Sequence, residues 1–147
     1  MRLTTKGRYG LRAMFELARD YGKGPVAIKA ISERQHLSTH YLEQLLAKLR
    51  KSGLIESVRG PGGGYILAKK PANITVGDVV RTLEGPIAMA KCIDESLMLE
   101  PCDHVGDCAV RLIWKRISNR IEEVLDAISL EDLRGEVDSI GCDWDTC

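Results

Sequence analysis

The chain has 147 residues with 21 basic and 21 acidic side chains, so its formal net charge is zero. This length suits one domain, or one small domain with an extension. The 44% share of apolar residues argues against a disordered chain. No apolar run reaches the ~18–20 residues that a membrane span needs, and the N-terminus lacks the apolar core of a signal peptide. We therefore expect a cytoplasmic protein with no membrane partner.

The two kinds of charge are unevenly distributed along the chain. Residues 1–70 contain 14 basic and five acidic side chains, a balance of +9, so residues 71–147 carry −9. Zero net charge speaks against a nucleic-acid partner, but a basic segment joined to an acidic one is typical of a polyanion-binding module attached to something else. A chance asymmetry of two solvated surfaces is the plain alternative.

The basic half predicts three helices. Apolar residues recur at helical spacing over about Thr5–Asp20, about Ala27–Gln35, and a third segment that starts at Ser38 and is stopped by Ser52-Gly53. The turn His36-Leu37-Ser38 joins the last two helices, and Ser38 is suited to cap the second. Two helices joined by so short a turn match the helix-turn-helix geometry, although a generic three-helix core would show much the same pattern.

In a helix-turn-helix the second helix enters the major groove with its N-terminal residues. The candidate DNA-binding residues there are Ser38, Thr39, His40, Tyr41, Glu43 and Gln44. Glu43 repels phosphate but can accept a hydrogen bond from cytosine N4, so it is a candidate for discriminating between sites. We find no catalytic acid–base constellation in the sequence, and His36 and His40 fall in or beside the DNA-facing turn. The sequence therefore predicts a protein that is not an enzyme.

A β-hairpin is predicted after the third helix. Leu54–Val58 and Tyr65–Leu67 have strand character, and the glycine-rich segment between them is typical of a hairpin tip. No Gly-Lys-Ser/Thr follows, which excludes a phosphate-binding P-loop. A basic tip of this kind is suited to contact phosphates or a minor groove. The candidate DNA-binding residues of this wing are Arg59, Gly60, Pro61, Gly62 and Gly63.

The acidic half contains a cysteine-bearing segment. Thr75 is suited to cap a short helix that reaches about Glu84, and residues 85–107 then lack periodicity. Nine residues separate Cys92 from Cys102, and five separate Cys102 from Cys108. A reducing compartment disfavours disulfides, whereas gathered thiolates can bind a soft metal or an iron–sulfur cluster. Redox-sensing thiols and inert thiols stay open as alternatives, because the spacing matches neither zinc ribbons nor ferredoxins.

A long helix with an apolar heptad seam is predicted after Cys108. The seam consists of Val110, Trp114, Ile117, Ile121, Val124 and Ile128. It favours a two-fold helix pair over a helix packed on its own domain, because helix-turn-helix proteins commonly bind two half-sites as dimers. Ser129 can cap a closing helix over Leu130–Leu133. The acidic tail from Gly135, with Cys142 and Cys147, is expected to be flexible and has no assigned role.

These elements predict a mainly α fold with a small β-hairpin wing, a winged helix-turn-helix followed by a long C-terminal dimerisation helix. The predicted parts are a DNA-binding domain over residues 1–84, a cysteine-bearing cluster segment over 85–108, a dimerisation helix and closing turn over 109–134, and the tail over 135–147.

Several motifs resemble the IscR-type transcriptional regulators. They are Met1-Arg2-Leu3-Thr4-Thr5-Lys6-Gly7-Arg8-Tyr9, Ile31-Ser32-Glu33-Arg34-Gln35, Tyr41-Leu42-Glu43-Gln44-Leu45 and Val58-Arg59-Gly60-Pro61-Gly62-Gly63-Gly64-Tyr65. The resemblance runs from residue 1 to about Leu133. It implies a homodimeric repressor that binds a double-stranded DNA operator and carries a [2Fe–2S] cluster, with genes of iron–sulfur cluster biogenesis as targets. Nitric oxide sensing, redox sensing and regulation of cysteine metabolism by a zinc-bound or apo protein are the alternatives within the wider family.

By the same resemblance Cys92, Cys102 and Cys108 are the cluster ligands. The family's histidine, three residues after the last cysteine, is replaced here by Arg111, which cannot ligate. His104 is the nearest substitute, and Asp103, Asp107, Glu95 or a group from a partner subunit are further options. Three readings compete with a cluster-dependent regulator: a redox enzyme or electron carrier, a DNA-binding protein with structural zinc, and an apo protein regulated through a protein partner.

Overall fold

A computed structural model describes residues 3–94, 102 and 106–140 of the chain. Within these residues the protein is mainly α-helical and contains one two-stranded antiparallel sheet. The elements are α1 (Thr5–Arg19), α2 (Ile28–Gln35), α3 (Thr39–Lys51), β1 (Ile55–Val58), β2 (Gly64–Leu67), α4 (Val76–Glu84), α5 (Ala109–Ala127) and α6 (Leu130–Ile140). Among the described residues, no helix is long and apolar enough to cross a membrane.

Helices α1, α2 and α3 form around one apolar core, as the periodicity predicts. Met14 of α1, Ile31 of α2 and Leu42 and Leu46 of α3 are fully buried in it. The helix ends follow from local chemistry: the Ser38 hydroxyl accepts a hydrogen bond from the Tyr41 amide at 3.4 Å and caps α3. The predicted order of helix, turn and helix is thereby confirmed.

The β-hairpin contributes to this core through Ile55 of β1 and Leu67 of β2. Ile55 pairs with Leu67 and Val58 with Gly64, so the strands are in register up to the glycine-rich tip. Val26, just before α2, adds one further bridge by exchanging backbone hydrogen bonds of 2.9 Å with Tyr65. The hairpin is thereby tied to the start of the helix-turn-helix as well as to the end of α3.

The C-terminal part of the chain completes the core of the N-terminal part. Leu130, at the start of α6, is 0% exposed and belongs to the same apolar cluster as α1 and α3. Its amide donates to the Ile74 carbonyl at 2.9 Å, and the Val76 amide donates to the Ile128 carbonyl at 2.8 Å. The segments predicted as 1–84 and 109–134 therefore share one core, and the first is not closed by itself.

The predicted heptad seam on α5 is divided between two surroundings. Ile121 and Ile128 pack against a small apolar cluster that contains Val76 and Val80 of α4. Val110 and Val124 are 50% and 60% exposed in the single chain. Treating the whole seam as one dimer face is therefore wrong, because part of it is already covered by the chain's own α4.

The closing helix is longer than the sequence pattern predicts. The capping prediction is confirmed, since the Ser129 hydroxyl accepts from the Asp132 amide at 3.1 Å. The helix then continues past Leu133 and the expected boundary at Gly135 to Ile140. A glycine inside a helix costs only about 1 kcal/mol relative to alanine, so it does not by itself end one. Cys142 and Cys147 lie outside the described residues.

Truncating Leu130 tests whether α6 is part of the core. We expect Leu130→Ala to lower the free energy of unfolding by about 2–5 kcal/mol, because a fully buried side chain leaves a cavity. Leu112→Ala is the control, since Leu112 is 67% exposed, and a change within about 0.5 kcal/mol is expected. Urea unfolding at one fixed protein concentration gives both values. Equal small effects of the two substitutions would contradict the shared core.

Candidate nucleic-acid interface and cysteine segment

The first turn of α3 presents a polar surface. Ser38, Thr39, His40, Glu43 and Gln44 are all exposed, as expected of residues that read a groove. His40 Nε2 and Gln44 Nε2 lie 3.2 Å apart, one helical turn from each other. Donors and acceptors suited to base edges are therefore grouped at the end of α3 that a helix-turn-helix inserts into DNA.

Tyr41 differs from the other candidate residues of α3 because it faces α1. Its side chain is half-buried, and its ring meets the Tyr9 ring edge-on with centroids 6.1 Å apart. Its hydroxyl lies 3.4 Å from the Thr5 hydroxyl. Tyr41 therefore fixes the position of the recognition helix against α1 and leaves only part of its surface for DNA.

The wing tip is a tight, glycine-dependent turn. Arg59, Gly60, Pro61 and Gly62 are exposed, and Gly62 has a φ of +77° that other residues rarely adopt. A Cβ on Gly63 would lie 2.3 Å from the Val58 carbonyl oxygen, so the backbone there leaves no room for a side chain. The tip can therefore bring its backbone close to another surface, such as a DNA backbone.

Cations border the surface formed by α3 and the wing. Lys48, Arg50, Lys51, Arg59, Lys69 and Lys70 are all exposed. Arg50 also donates from Nη1 to the Ser57 hydroxyl at 3.2 Å and so joins the end of α3 to the first wing strand. Sequence reasoning missed this contact, because a pair between a helix and the following strand leaves no periodic signal. Six exposed cations of the N-terminal half thus lie on or beside the candidate recognition surface.

The cysteine segment begins where α4 meets α1. The Glu84 carboxylate, at the end of α4, accepts hydrogen bonds from the Thr4 amide at 3.0 Å and the Gly7 amide at 2.8 Å, and also contacts the Thr4 hydroxyl. Burial raises the pKa of Glu84, but these hydrogen bonds outweigh burial and leave the pKa below its ordinary value. The start of the segment is therefore fastened to the first turn of α1.

The three cysteines are differently placed in the segment. Cys92 lies in a short 3-10 turn, Lys91–Ile93, and is half-buried, as is Cys108 at the start of α5, while Cys102 is exposed. Among the described residues, none of these three cysteines is in a disulfide. His104, the predicted substitute ligand, lies outside the described residues.

Arg111 occupies the position where the resemblance to IscR-type regulators places the fourth cluster ligand, and its side chain makes a structural contact there. Its Nε donates to the Cys92 backbone carbonyl at 3.2 Å and so joins the segment to the first turn of α5. The Met89 amide donates to the Ser118 hydroxyl at 2.9 Å and makes a second link to α5. Sequence reasoning treats Arg111 only as a lost ligand and misses this contact.

The donor chemistry of the segment fits an iron–sulfur cluster in part. Three thiols supply the soft ligands that such clusters take, and Cys92, Cys102 and Cys108 would hold one. Across residues 3–94, 102 and 106–140, however, no three His, Cys, Asp or Glu side chains are grouped closely enough to hold a metal ion. A fourth ligand is thus not identified among the described side chains.

The helix-turn-helix, the wing and the exposed polar end of α3 define a winged-helix DNA-binding protein. Residues 3–136 match the profile of the Rrf2 family, described as an iron-dependent transcriptional regulator. The chain belongs to the Rrf2 family. It is a transcriptional regulator of the winged-helix type and not an enzyme, in agreement with the sequence-based prediction.

Curated relatives of two kinds resemble the chain to the same degree. The transcriptional regulator CymR of Bacillus subtilis is 46% identical over 138 residues, which cover 94% of this chain and 93% of the relative. The regulator IscR of Aliivibrio salmonicida is 46% identical over 133 residues, which cover 90% of this chain and 77% of the relative. Identity alone therefore does not separate these two kinds.

Solved structures give the same result. The structure of CymR (YrzC), described as the global cysteine regulator of B. subtilis, superposes with a TM-score of 0.78 at 44% identity, covering 92% of this chain and 98% of that one. The T. potens IscR structure superposes with a TM-score of 0.75 at 45% identity, covering 93% and 88%. Both support the predicted fold class, mainly helical with a two-stranded wing.

A side chain at Gly63 tests the wing. We expect Gly63→Ala to weaken binding to specific DNA about tenfold, because the hairpin tip must shift and lose its contacts. The probe is a duplex selected from a random pool with the unaltered protein, called the selected duplex below, and fluorescence anisotropy at fixed salt gives the affinity. Gly135→Ala is the control, because nothing lies within 4 Å of a Cβ added at Gly135 and no contact has to shift. Unchanged affinity of the Gly63 variant would exclude a DNA-binding role for the tip.

Proposed function

We propose that the chain is a homodimeric repressor that binds a double-stranded DNA operator and is controlled through its cysteine segment. The observation that carries this proposal is the juxtaposition of an exposed polar α3, a glycine-rich wing and flanking cations on one DNA-binding unit. The proposed DNA contacts are the polar side chains of α3 and the wing tip from Arg59 to Gly63. Tyr41 is among them, although part of its side chain packs against α1 and only the rest can face DNA.

The exposed part of α5 supports the homodimer. Val110, Ile113 and Val124 are 50%, 55% and 60% exposed, and they fall on one stripe together with Trp114 and half-buried Ile117. Their spacing is that of a heptad seam, which pairs best with a second copy of the same helix. A second copy would also present a second α3 to a second half-site, as helix-turn-helix dimers do.

The three thiols of the segment support an iron–sulfur cluster, most simply [2Fe–2S]. The proposed targets, genes of iron–sulfur cluster biogenesis, are taken from the similarity to IscR. Cys92 is held at α5 by the Arg111 contact, Cys108 is the residue that precedes α5, and Cys102 lies between them in the chain. His104 is the proposed fourth ligand. When bound, a cluster of this kind would make the segment responsive to iron, oxygen or nitric oxide, since its sulfur ligation can be oxidised or lost.

A second candidate function is regulation of cysteine metabolism by a zinc-bound or metal-free segment. It is favoured by the Arg111 contact to the Cys92 carbonyl, because a guanidinium that cannot ligate a metal occupies the position where the resemblance places the fourth cluster ligand. It is also favoured by the similarity to CymR, which is described as a global cysteine regulator. In this case the free thiols or a protein partner would provide the signal.

Charged substitutions on the exposed stripe test the dimer. We expect Ile113→Glu combined with Val124→Glu to give monomers in sedimentation velocity and to weaken binding of the selected duplex by more than tenfold, because two half-sites are no longer bound together. Leu112→Glu is the matched control, since Leu112 is 67% exposed and lies off the stripe. A double variant that stays dimeric would contradict the assigned interface.

Metal analysis of anaerobically purified protein tests the cluster. We expect a brown protein with about two iron and two sulfide per chain, and loss of both in Cys92→Ser. Arg111→His should prolong the lifetime of the cluster in air, because imidazole can ligate where guanidinium cannot, whereas the control Arg111→Lys should not. A colourless protein loaded with zinc or free of metal would reject the cluster and favour the second candidate function.

A further inference from the structure

The apolar core formed by α1, α2 and α3, called the core of the DNA-binding unit below, contains a buried carboxylate. Glu16 of α1 is 0% exposed, although its neighbours Phe15 and Leu17 are apolar core residues. Arg19 and Arg34 contact its Oε2 at 2.8 and 3.1 Å. Burying a charge costs free energy unless it is paired and hydrogen-bonded, so a group of this kind calls for a reason beyond filling space.

The other oxygen of this carboxylate holds Gln35, the last residue of α2. Gln35 is 1% exposed, and its Nε2 donates to Glu16 Oε1 at 2.5 Å. Its Oε1 accepts from Arg12 Nε at 2.6 Å, and its backbone carbonyl accepts from Arg12 Nη2 at 2.9 Å. The side-chain amide thus has an acceptor on one side and a donor on the other, and a flipped amide would lose both hydrogen bonds.

The turn of the helix-turn-helix starts directly after this contact. His36 has a left-handed conformation, with φ 52° and ψ 45°, and its amide donates to the Ser32 carbonyl as α2 ends. The Ser32 hydroxyl donates to the Leu37 carbonyl at 2.5 Å. The direction in which the chain leaves α2 is therefore set where Gln35 is fastened to α1.

Arg12, which binds Gln35, is also connected to the start of α3. The Arg12 guanidinium carbon lies 5.6 Å from the centroid of the Tyr9 ring, a distance at which a cation is attracted to an aromatic face. Tyr9 in turn meets Tyr41, in the first turn of α3, edge-on at 89°. Arg12 is thus joined to the end of α2 directly and to the beginning of α3 through one ring.

We infer that Arg12, Gln35 and Glu16 form a clamp that sets the orientation of α3 relative to α2 and thereby controls discrimination between operator and other DNA. Arg12 and Gln35 are positioning residues in this inference, since they act through the turn and through Tyr9. The inference rests on the proposed function in one respect, namely that α3 reads DNA. It is independent of what the cysteine segment binds.

The physical basis is the different tolerance of two kinds of DNA contact. Phosphate contacts carry no sequence information and adapt to small displacements of long side chains. Hydrogen bonds to base edges need a well-defined position of the helix in the groove. A loosened clamp should therefore weaken binding to the selected duplex while leaving binding to a shuffled duplex largely unchanged.

Conservative substitutions of two arginines on α1 test the clamp. Arg12→Lys keeps the charge but loses the planar two-point contact with Gln35. Arg8→Lys is the matched control, because Arg8 also lies over Tyr9, at 5.9 Å, but has no hydrogen bond to Gln35 in the structure. Affinities of the full-length proteins for the selected and the shuffled duplex are measured by anisotropy at one salt concentration.

We expect Arg12→Lys to weaken binding of the selected duplex about tenfold and binding of the shuffled duplex by less than about twofold, with Arg8→Lys close to the unaltered protein for both. Equal affinities of the two variants for the selected duplex would overturn the inference, and so would an equal loss for both duplexes. An unaltered protein that does not discriminate between the duplexes would instead reject operator binding itself.

An exchange of the amide and the carboxylate provides a rescue. Gln35→Glu alone opposes two carboxylates inside the unit and should reduce discrimination at least as much as Arg12→Lys. Combined with Glu16→Gln, the donor and acceptor are restored in reversed order, and Arg12 keeps an acceptor at position 35. We expect the double variant to regain most of the discrimination. A double variant that folds, judged by its thermal midpoint, yet discriminates no better than Gln35→Glu would overturn the clamp.

Discussion

The attachment of the C-terminal helices to the DNA-binding unit is the constraint on which the other features depend. It consists of the two backbone hydrogen bonds between residues 74–76 and 128–130, the burial of Leu130, and an ion-pair cluster around Arg81. Arg81 contacts Asp126 at 2.6 Å and Glu122 at 3.0 Å, so α5 is held against α4 by charge as well as by apolar packing. Because α4 also packs on α1, the orientation of α5 is fixed relative to the recognition helix.

This attachment defines what the cysteine segment can do. Just before the segment, Glu84 is fastened to α1, and residues 89–92 in the first part of the segment are held at α5 through Ser118 and Arg111. The far end of the segment, Cys108, leads directly into α5. A change within the segment therefore acts between two elements that both pack on the DNA-binding unit. In the proposed dimer, a shift of α5 would move the two subunits relative to each other and change the spacing between their α3 helices.

The structure also shows where the oppositely charged side chains of the two halves of the chain lie. Within the second half, Asp126 and Glu122 pair with Arg81, so the excess of acid is carried by other side chains. In the first half, six of the exposed cations lie on α3 or on and just after the wing. The zero net charge of the chain thus does not describe the surface that would face DNA. Long-range attraction to DNA should be weaker than for a uniformly basic protein, and short-range contacts of the basic face should dominate.

Local chemistry made much of the fold predictable from the sequence. Caps such as Ser38 and Thr75, helical periodicity and the glycine-rich tip each act over a few residues, so the elements and the wing follow from neighbouring positions. The contacts of Leu130, Arg111 and Gln35 join residues far apart in the chain and leave no periodic signal. The apolar seam of α5 shows the limit of prediction from sequence, because periodicity identifies an apolar face but does not say which partner covers it.

The proposed control of specific DNA binding by the cysteine segment can be measured directly. The direct measurement compares anaerobically purified protein with the same protein after its thiols are stripped of metal and alkylated, using the selected and the shuffled duplex. We expect the affinity for the selected duplex to change by at least about fivefold, the lower range of allosteric coupling, and the affinity for the shuffled duplex to change little. Identical affinities of both forms for the selected duplex would contradict it.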